Sequence, residues 1–243
     1  MTTKQTQPQE IVYGIHPIIE LLKAKRRKII TLYTTRPEPK QWPQIKKLLP
    51  ERPITIQYVD RTKLAKIAGT TEHQSVVALV SPYQYRTKPF EPSHNPLVVL
   101  LDGIQDTRNL GGILRSAYCT GFNGVIIPVK NSAPLTASTH KAAAGLAEHL
   151  QIYQAASAKQ AVMQLSQAGY TIYLTTITGG KSALAVTFQR PTCLVIGSEE
   201  TGISKELLTS GSKITLPQQR PDISYNASVA AGIFMFLASQ QGN

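Results

Sequence analysis

The sequence predicts an α/β protein of two domains, the larger of which is built on a mainly parallel sheet. Through residues 97–243, short apolar runs alternate with helical patterns, which is typical of parallel strands covered by helices on both faces. Residues 81–96 contain four prolines and no hydrophobic period, so we expect a linker there. Residues 1–80 then form a small α/β domain, and residues 97–243 form the larger one.

Five segments define the small domain. A helical pattern covers Ile11–Lys23, and a second helix is expected at Trp42–Leu49. Runs rich in β-branched residues predict three strands, at Ile29–Thr34, Ile54–Val59 and Ser75–Val80.

Nine segments define the larger domain. The predicted strands are Leu97–Leu101, Gly124–Pro128, Tyr170–Thr175, Thr192–Ile196 and Lys213–Leu216. The predicted helices lie near Leu110–Thr120, Lys141–Glu148, Ala158–Ala168 and Ala227–Ser239. Because ligands of such sheets bind beyond the carboxyl ends of the strands, the loops after the strands should carry the functional residues.

Positive charge is concentrated in the first part of the chain. Residues 1–96 contain 16 basic and 7 acidic side chains, and residues 97–243 contain 10 and 7, for a net charge of +12. A basic domain of this kind attracts the phosphate backbone of a nucleic acid. Charge alone fits a basic protein without such a partner equally well.

Several classes of protein are not expected from this sequence. Cys119 and Cys193 lie in apolar stretches and resemble no metal-ligand cluster, so we expect two reduced core thiols and no metal. The polar start MTTKQTQPQE lacks the apolar core of an export signal, and Val229–Ala238 is too short to span a membrane. We therefore expect a location in the cytoplasm or an organellar matrix, with no membrane partner.

The first candidate motif follows the apolar run LVVLLD. A helix should begin near Asn109, which is well placed to cap it, while Gly111 and Gly112 would let a bulky ligand approach the backbone. Arg115 follows among apolar residues. The alternative is an ordinary helix cap followed by a surface cation.

The second candidate motif follows the run CLVIG. Gly197, Glu199 and Gly202 form a glycine-rich turn at a strand end, where backbone N–H groups often hold a nucleotide-like ligand. The turn contains neither GxGxxG nor GxxxxGK[ST], which argues against a dinucleotide site or a P-loop. A simple left-handed turn with a solvated acidic pair is the alternative.

The third candidate motif opens the C-terminal helix. Ser224 and Asn226 lie where this helix begins, so at least one of them should cap it. The helix has almost no polar face and must be buried within the domain or against a second subunit.

Together the motifs resemble the signature of the SpoU, or TrmH, family of RNA ribose 2′-O-methyltransferases. Asn109, Gly111 and Arg115 match its first motif, the glycine-rich turn matches Gly-x-Glu-x-x-Gly, and the segment 224–230 after Pro217 matches Ser-x-Asn-x-Ser-x-Ala. The stretches YGIHPIIELLKAKRRKIITLYTT and TEHQSVVALVSPYQY look like the ribosomal-protein-like substrate-binding domain of the RlmB branch. The resemblance thus covers nearly the whole chain.

The resemblance implies a set of catalytic residues. In the family, assisting removal of the hydroxyl proton is attributed to the arginine that matches Arg115. Because an arginine stays protonated and cannot easily act as a base, we expect Arg115 instead to bind the nucleotide phosphate and stabilise the developing alkoxide. A phosphate or a water would accept the proton. Asn109 and Glu199 would orient Arg115 and the RNA, and Ser224 and Asn226 would hold the target nucleotide.

The resemblance also implies the cofactor S-adenosylmethionine, a homodimer and a SPOUT-type trefoil knot in the larger domain. Cofactor contacts would fall at Gly197, Leu216, Tyr225 and Thr176. Three residues depart from the family pattern: Thr107 replaces a common proline, Glu200 a common glycine, and Tyr225 the usual leucine beside the cofactor.

The branch resemblance implies methylation of a guanosine in large-subunit, 23S-type ribosomal RNA. The basic stretch LLKAKRRKII would then bind structured RNA. Two alternatives remain at this stage: a tRNA ribose methyltransferase of the same family, and a non-catalytic RNA-binding factor of ribosome assembly. A pure binder would not need all the catalytic residues together.

Overall fold

The structure is a computed structural model that describes residues 8–220 and 222–241. The chain forms two compact units. The first contains the described residues up to Gln84 together with Leu135–His149, and the second contains Tyr85–Pro134 and the described residues from Leu150 onward. The sequence predicts that residues 135–149 belong to the larger domain, whereas in the structure they pack with the first unit.

The strands of the described chain are β1 (Glu10–Tyr13), β2 (Ile29–Thr34), β3 (Thr55–Tyr58), β4 (Val76–Val80), β5 (Leu97–Asp102), β6 (Gly124–Pro128), β7 (Gln151–Ala155), β8 (Thr171–Thr175), β9 (Lys181–Ser182), β10 (Thr192–Gly197) and β11 (Ser212–Thr215). The helices are α1 (Ile15–Ala24), α2 (Trp42–Leu48), α3 (Arg61–Ala68), α4 (Thr107–Thr120), α5 (Ala137–Ala142), α6 (Ala158–Gln167) and α7 (Ala227–Ser239). Short 3-10 turns cover Leu146–His149, Ala183–Ala185 and Lys205–Leu207.

The first unit is built on a four-stranded sheet in the order β1-β4-β2-β3. β4 pairs antiparallel with β1 and β2, and β3 pairs parallel with β2 at one edge. Trp42, Ile18 and Leu32 are fully buried in its main core. The predicted helix Ile11–Lys23 is wrong at its start: its first residues pair with β4, and Gly14, with a φ of 95°, turns the chain into α1.

Arg27 is a buried cation of the first unit that pairs with two carboxylates. Its guanidinium lies 3.0 Å from Glu148 Oε1 and 2.6 Å from Glu10 Oε2, and its Nε donates to the Ser81 carbonyl at 2.8 Å. The side chains of Arg27 and Glu148 are each 1% exposed. Arg27 therefore cannot contact RNA as the basic stretch suggested. The exposed cations of that stretch are Lys23, Lys25, Arg26 and Lys28.

The predicted helix Lys141–Glu148 is wrong in its bounds. α5 begins earlier, behind a capping box made by Thr136, and a 3-10 turn follows it. Gly145 lies between them with a φ of 84°, and a Cβ there would lie 2.6 Å from Pro17 Cα. This close approach and the left-handed backbone both require glycine.

The second unit is built on a seven-stranded sheet in the order β7-β6-β5-β10-β8-β11-β9. All of its strand pairs are parallel. Val98 and Leu100 of β5 join the core cluster that includes α6, and Val99 and Leu101, which point to the other face, are also fully buried. This confirms the predicted α/β class with a parallel sheet covered on both faces. The trefoil knot stays a prediction.

The two cysteines have different environments. Cys193 in β10 is buried, and that burial raises the pKa of its thiol well above the ordinary value. Cys119 lies on the outer side of α4 and is exposed, so the expectation of a core thiol was wrong for this residue. An apolar local sequence does not fix which face of a helix a residue occupies.

Candidate functional site

The sheet of the second unit changes its winding direction at β5. β6 and β7 lie on one side of this strand, and β10, β8, β11 and β9 lie on the other. Ligands of parallel α/β sheets bind beyond the carboxyl ends of the strands at such a switch point. Two cavities lie there, and both are lined by the loop Ser198–Gly202 that follows β10.

The loop Ser198–Gly202 folds back on itself. Backbone N–H groups of Ser198 and Gly202 donate to each other's carbonyls, both at 3.1 Å, and Ser198 Oγ lies 2.8 Å from Thr201 Oγ1. A Cβ on Gly197 would lie 2.3 Å from the carbonyl carbon of Gly202, which itself has a φ of 65°. The predicted glycine-rich turn therefore requires glycine at both ends.

Three of the five predicted catalytic residues meet at Asn226. Asn226 Nδ2 donates to Asn109 Oδ1 at 2.9 Å and to Glu199 Oε1 at 2.7 Å. Asn226 Oδ1 accepts the N–H groups of Ser228 and Val229, so it caps α7 as predicted. Both ends of this amide are bonded, and its orientation is therefore fixed. We call Asn109, Glu199 and Asn226 the amide–carboxylate cluster.

The start of α4 differs from the prediction. The cap is Asp106, whose side chain accepts the Arg108 N–H, while Asn109 lies in the first turn and turns its side chain towards Asn226. Hydrogen bonds from the Arg108 backbone N–H and, to a smaller extent, from its guanidinium hold the pKa of Asp106 below its usual range. Asn109 is thereby released from capping to join the cluster.

Gly112 of α4 and Gly232 of α7 serve helix packing. A Cβ on Gly112 would lie 3.0 Å from Ser228 Cβ, and one on Gly232 would lie 3.2 Å from Ser116 Oγ. Gly112 therefore faces α7, and the expectation that it admits a ligand is wrong; for the buried Gly111 that expectation stays a prediction. The small size of Gly112 lets α4 approach α7 closely, and this approach brings Asn109 within reach of Asn226.

The first cavity, which we call the apolar cavity, has a volume of about 440 Å³ and lies beyond β8, β10 and β11. Ile196, Leu208 and Phe234 contribute apolar walls. All four residues predicted to contact the cofactor line it, and so does Ser224. They are Thr176, Gly197, Leu216 and Tyr225. A cavity of this size suits a small-molecule ligand.

The second cavity, which we call the acidic cavity, has a volume of about 560 Å³ and lies beyond β5, β6 and β7. Asn109 and one cation, Lys130, line it together with five carboxylates. The carboxylates are Asp102, Asp106, Glu199, Glu200 and Glu206. Asp102 was not predicted as a site residue, although the sequence contains a signal: it is the acidic residue that ends the apolar run LVVLLD.

Arg115 stands apart from the other predicted residues. It is exposed on α4 and lines neither cavity. The reason is helical geometry, because a spacing of six residues puts Asn109 and Arg115 about 120° apart around the helix axis. Within a single chain, the amide–carboxylate cluster and the residues that line the cavities lie together, whereas Arg115 lies on another face of α4.

The described residues contain no group of three or more His, Cys, Asp or Glu side chains arranged to hold a metal ion. None of the helices in the described ranges has the length and apolarity that a membrane span needs.

Known proteins resemble both parts of the chain. Residues 96–236, more than half of the sequence, match the family described as "SpoU rRNA Methylase family". Residues 11–86 match the one described as "RNA 2'-O ribose methyltransferase substrate binding".

Curated relatives resemble the chain over its full length. YacO of Bacillus subtilis, named for the TrmH family of tRNA/rRNA methyltransferases, is 31% identical over 246 residues that cover 98% of both chains. The 23S rRNA (guanosine-2'-O-)-methyltransferase RlmB of Shewanella oneidensis is 30% identical over 243 residues, which cover 96% of this chain and 98% of the relative.

A solved structure shares the fold. The SpoU methyltransferase AviRb from Streptomyces viridochromogenes, in complex with AdoMet, matches with a TM-score of 0.80 at 23% identity. The match covers 96% of this chain and 90% of AviRb.

Proposed function

The chain belongs to the SpoU rRNA methylase family, and on that premise we propose that it methylates the ribose 2′-oxygen of a guanosine in large-subunit ribosomal RNA, with S-adenosylmethionine as the methyl donor. The family and the relatives of matching length make the chain an RNA 2′-O-methyltransferase.

The amide–carboxylate cluster carries the proposal. Glu199 lines both cavities, and Asn109 lines the acidic one. A methyl donor bound in the apolar cavity and a ribose bound in the acidic cavity would therefore meet beside a fixed, hydrogen-bonded set of polar groups. Such pre-organisation of two reactants is a large source of catalytic rate.

The residues of the apolar cavity fit S-adenosylmethionine. Gly197 exposes backbone at the end of β10, and Leu216 and Tyr225 border an apolar space suited to an adenine ring. Thr176 adds a hydroxyl. When bound, the cofactor supplies a methyl group that is already strongly electrophilic.

The chain's own residues must orient the ribose and assist loss of the hydroxyl proton. Glu199 and Asn226 would hold the nucleotide with the exposed Ser224. Arg115 would bind the adjacent phosphate and stabilise the alkoxide, because a guanidinium is a permanent bidentate cation. A phosphate oxygen or a water takes the proton.

The exposed position of Arg115 on α4 favours a homodimer in which a second copy covers the exposed sides of α4 and α7. Val229 and Phe236 of α7 and Tyr118 of α4 leave large apolar surfaces exposed. Large apolar side chains exposed on two neighbouring helices favour an interface between subunits. A second copy packed there would receive Arg115 near its own site. Phe236→Lys should give a monomer in size-exclusion chromatography and lose methyl transfer, whereas Met163→Lys, on the exposed side of α6, should change neither.

The first unit would bind the RNA. Besides its exposed cations, it presents Tyr58 on the edge strand β3, 40% exposed, with the Arg36 guanidinium 4.2 Å from the ring centroid. The Tyr58 hydroxyl donates to Glu38 Oε1 at 2.7 Å, which fixes the ring. A fixed aromatic ring beside cations suits base stacking and phosphate contact.

Two measurements test the proposal. Calorimetry should detect binding of S-adenosylmethionine by the full chain, and Leu216→Lys, which puts a charge in the apolar cavity, should abolish it. Incubation with unmodified ribosomal RNA and tRNA, followed by digestion and mass spectrometry, should yield 2′-O-methylguanosine from large-subunit RNA.

Each outcome distinguishes an alternative. Product from tRNA alone would assign the chain to the tRNA enzymes. If the protein neither binds the cofactor nor makes product, it is a non-catalytic RNA binder. Near-normal methyl transfer by Arg115→Lys would refute the bidentate role given to Arg115.

A further inference from the structure

The acidic cavity concentrates negative charge in a domain whose net charge is positive. Residues 97–243 contain seven acidic and ten basic side chains. Five of the acidic side chains line this one cavity, whereas one of the basic ones does. Such a lining repels phosphate and attracts groups that carry several N–H donors.

Asn109 adds a hydrogen-bond donor to these acceptors. Its side chain is 7% exposed, and its Oδ1 is occupied by Asn226 Nδ2. Within the described residues, Asn109 Nδ2 has no hydrogen-bond partner, and the residue lines the acidic cavity. The amide nitrogen is therefore free to donate a hydrogen bond to an acceptor on a ligand in the cavity.

Asp102 is the best-placed acceptor in the cavity. It is half-buried at the end of β5, and its Oδ2 accepts the Ser204 N–H at 2.7 Å, which fixes the carboxylate. Asp106 and Glu199 are already engaged by Arg108 and Asn226. The Glu200 and Glu206 side chains are exposed and less constrained.

We infer that the acidic cavity binds the target base and that Asp102 and Asn109 select guanine. This inference rests on the proposed function. The Watson–Crick edge of guanine presents two neighbouring donors, N1–H and the N2 amine, beside the O6 acceptor. Asp102 accepts from the donors, and Asn109 Nδ2 donates to O6.

The other bases present the wrong pattern to these groups. Adenine and cytosine each have an acceptor ring nitrogen beside their amine, and uracil has one N–H between two carbonyl oxygens. None of them offers two neighbouring donors to the Asp102 carboxylate, so each leaves one of its contacts unmade. A site built to pair with polar groups strongly rejects a substrate that leaves them unpaired.

A base-replacement series tests the inference. The position methylated in unmodified large-subunit RNA is mapped first. The same RNA is then prepared by ligation with adenosine, cytidine, uridine or inosine at that position, and kcat/KM is measured for each. We expect a guanosine preference of at least about 100-fold over the three standard bases. Inosine, which lacks only the N2 amine, should lose about 10-fold.

Asp102→Asn should reduce the guanosine preference at least about 10-fold while the affinity for S-adenosylmethionine is unchanged. Glu91→Gln removes an exposed carboxylate of the same unit that does not line the cavity, and it should leave the preference intact. If Asp102→Asn fails to fold, the base series on the unaltered protein still tests whether the cavity selects guanine by its N1–H and N2 donors.

The outcomes separate this inference from the proposed function. Equal rates on all bases, or a guanosine preference that a folded Asp102→Asn variant retains in full, would overturn the inference and leave methyl transfer in place. An inosine rate equal to that of guanosine would exclude recognition of the N2 amine and overturn it as well. A protein that neither binds S-adenosylmethionine nor makes product would overturn both.

Discussion

Replacing Asn226 by aspartate isolates the donor role of its amide. In the structure, Nδ2 donates to Asn109 and Glu199 while Oδ1 caps α7. Aspartate caps helices about as well as asparagine, so Asn226→Asp should keep the cap. It removes both donated bonds and sets a carboxylate where 2.7 Å now separates Nδ2 from Glu199 Oε1.

The size of the effect follows from these contacts. A hydrogen bond to a charged group contributes about 1.5–3 kcal/mol and a neutral one about 1 kcal/mol. A loss of about 3 kcal/mol in transition-state binding lowers the rate roughly 100-fold. The introduced carboxylate also repels the Glu199 carboxylate, which adds to the loss.

Methyl transfer to ribosomal RNA measures this loss, and thermal unfolding checks that the helix cap is kept. Asn123→Asp makes the same charge change at an exposed position outside both cavities and serves as the control. An Asn226→Asp variant with normal activity would refute the role given to this amide.

Three further predictions concern the rest of the molecule. Arg27→Met leaves the Glu148 carboxylate buried without its partner and should lower the free energy of unfolding by about 3–5 kcal/mol in urea titration, with partial recovery on adding Glu148→Gln. Burial, and then the charge of Arg27, lower the pKa of His140 to about 3, so the ring stays neutral in the folded chain while the unfolded chain binds a proton below about pH 6.5. Relative to His140→Gln, the protein should therefore lose about 2 kcal/mol of stability between pH 6.5 and pH 5, and parallel stability curves would contradict this. Gly197→Ala forces the loop after β10 open and should abolish cofactor binding in calorimetry, whereas Gly232→Ala meets one movable hydroxyl and should bind normally.

The sequence predicted the parallel sheet well because buried parallel strands are continuous apolar runs. β5, β6 and β10 lie within one residue of their predicted bounds. β7 and α3 were missed, since QIYQA and RTKLAKIA carry little apolar periodicity of their own and are specified by their neighbours in the fold. The break at Gly14 was missed because a helical pattern continues across it.

The candidate site was predictable only where a motif specifies local backbone. The glycine-rich turn and the Asn226 cap are of this kind. The Asn109–Asn226 bond depends on two helices that approach through Gly112 and Ser228, far apart in sequence, and no local pattern reports that approach. Arg115 was grouped with the cluster by motif order, whereas helix geometry turns it to another face.

The segment Leu135–His149 has a consequence for how the protein is made. The first unit contains the opening residues of the chain, but Glu148, which pairs with Arg27, is added more than a hundred residues later. On the ribosome, Arg27 can therefore pair with Glu10 early, whereas its contact with Glu148 forms only after residue 149 has left the exit tunnel. A fragment that stops at the proline-rich linker lacks that contact, and we expect a fusion that carries the segment back to be more stable.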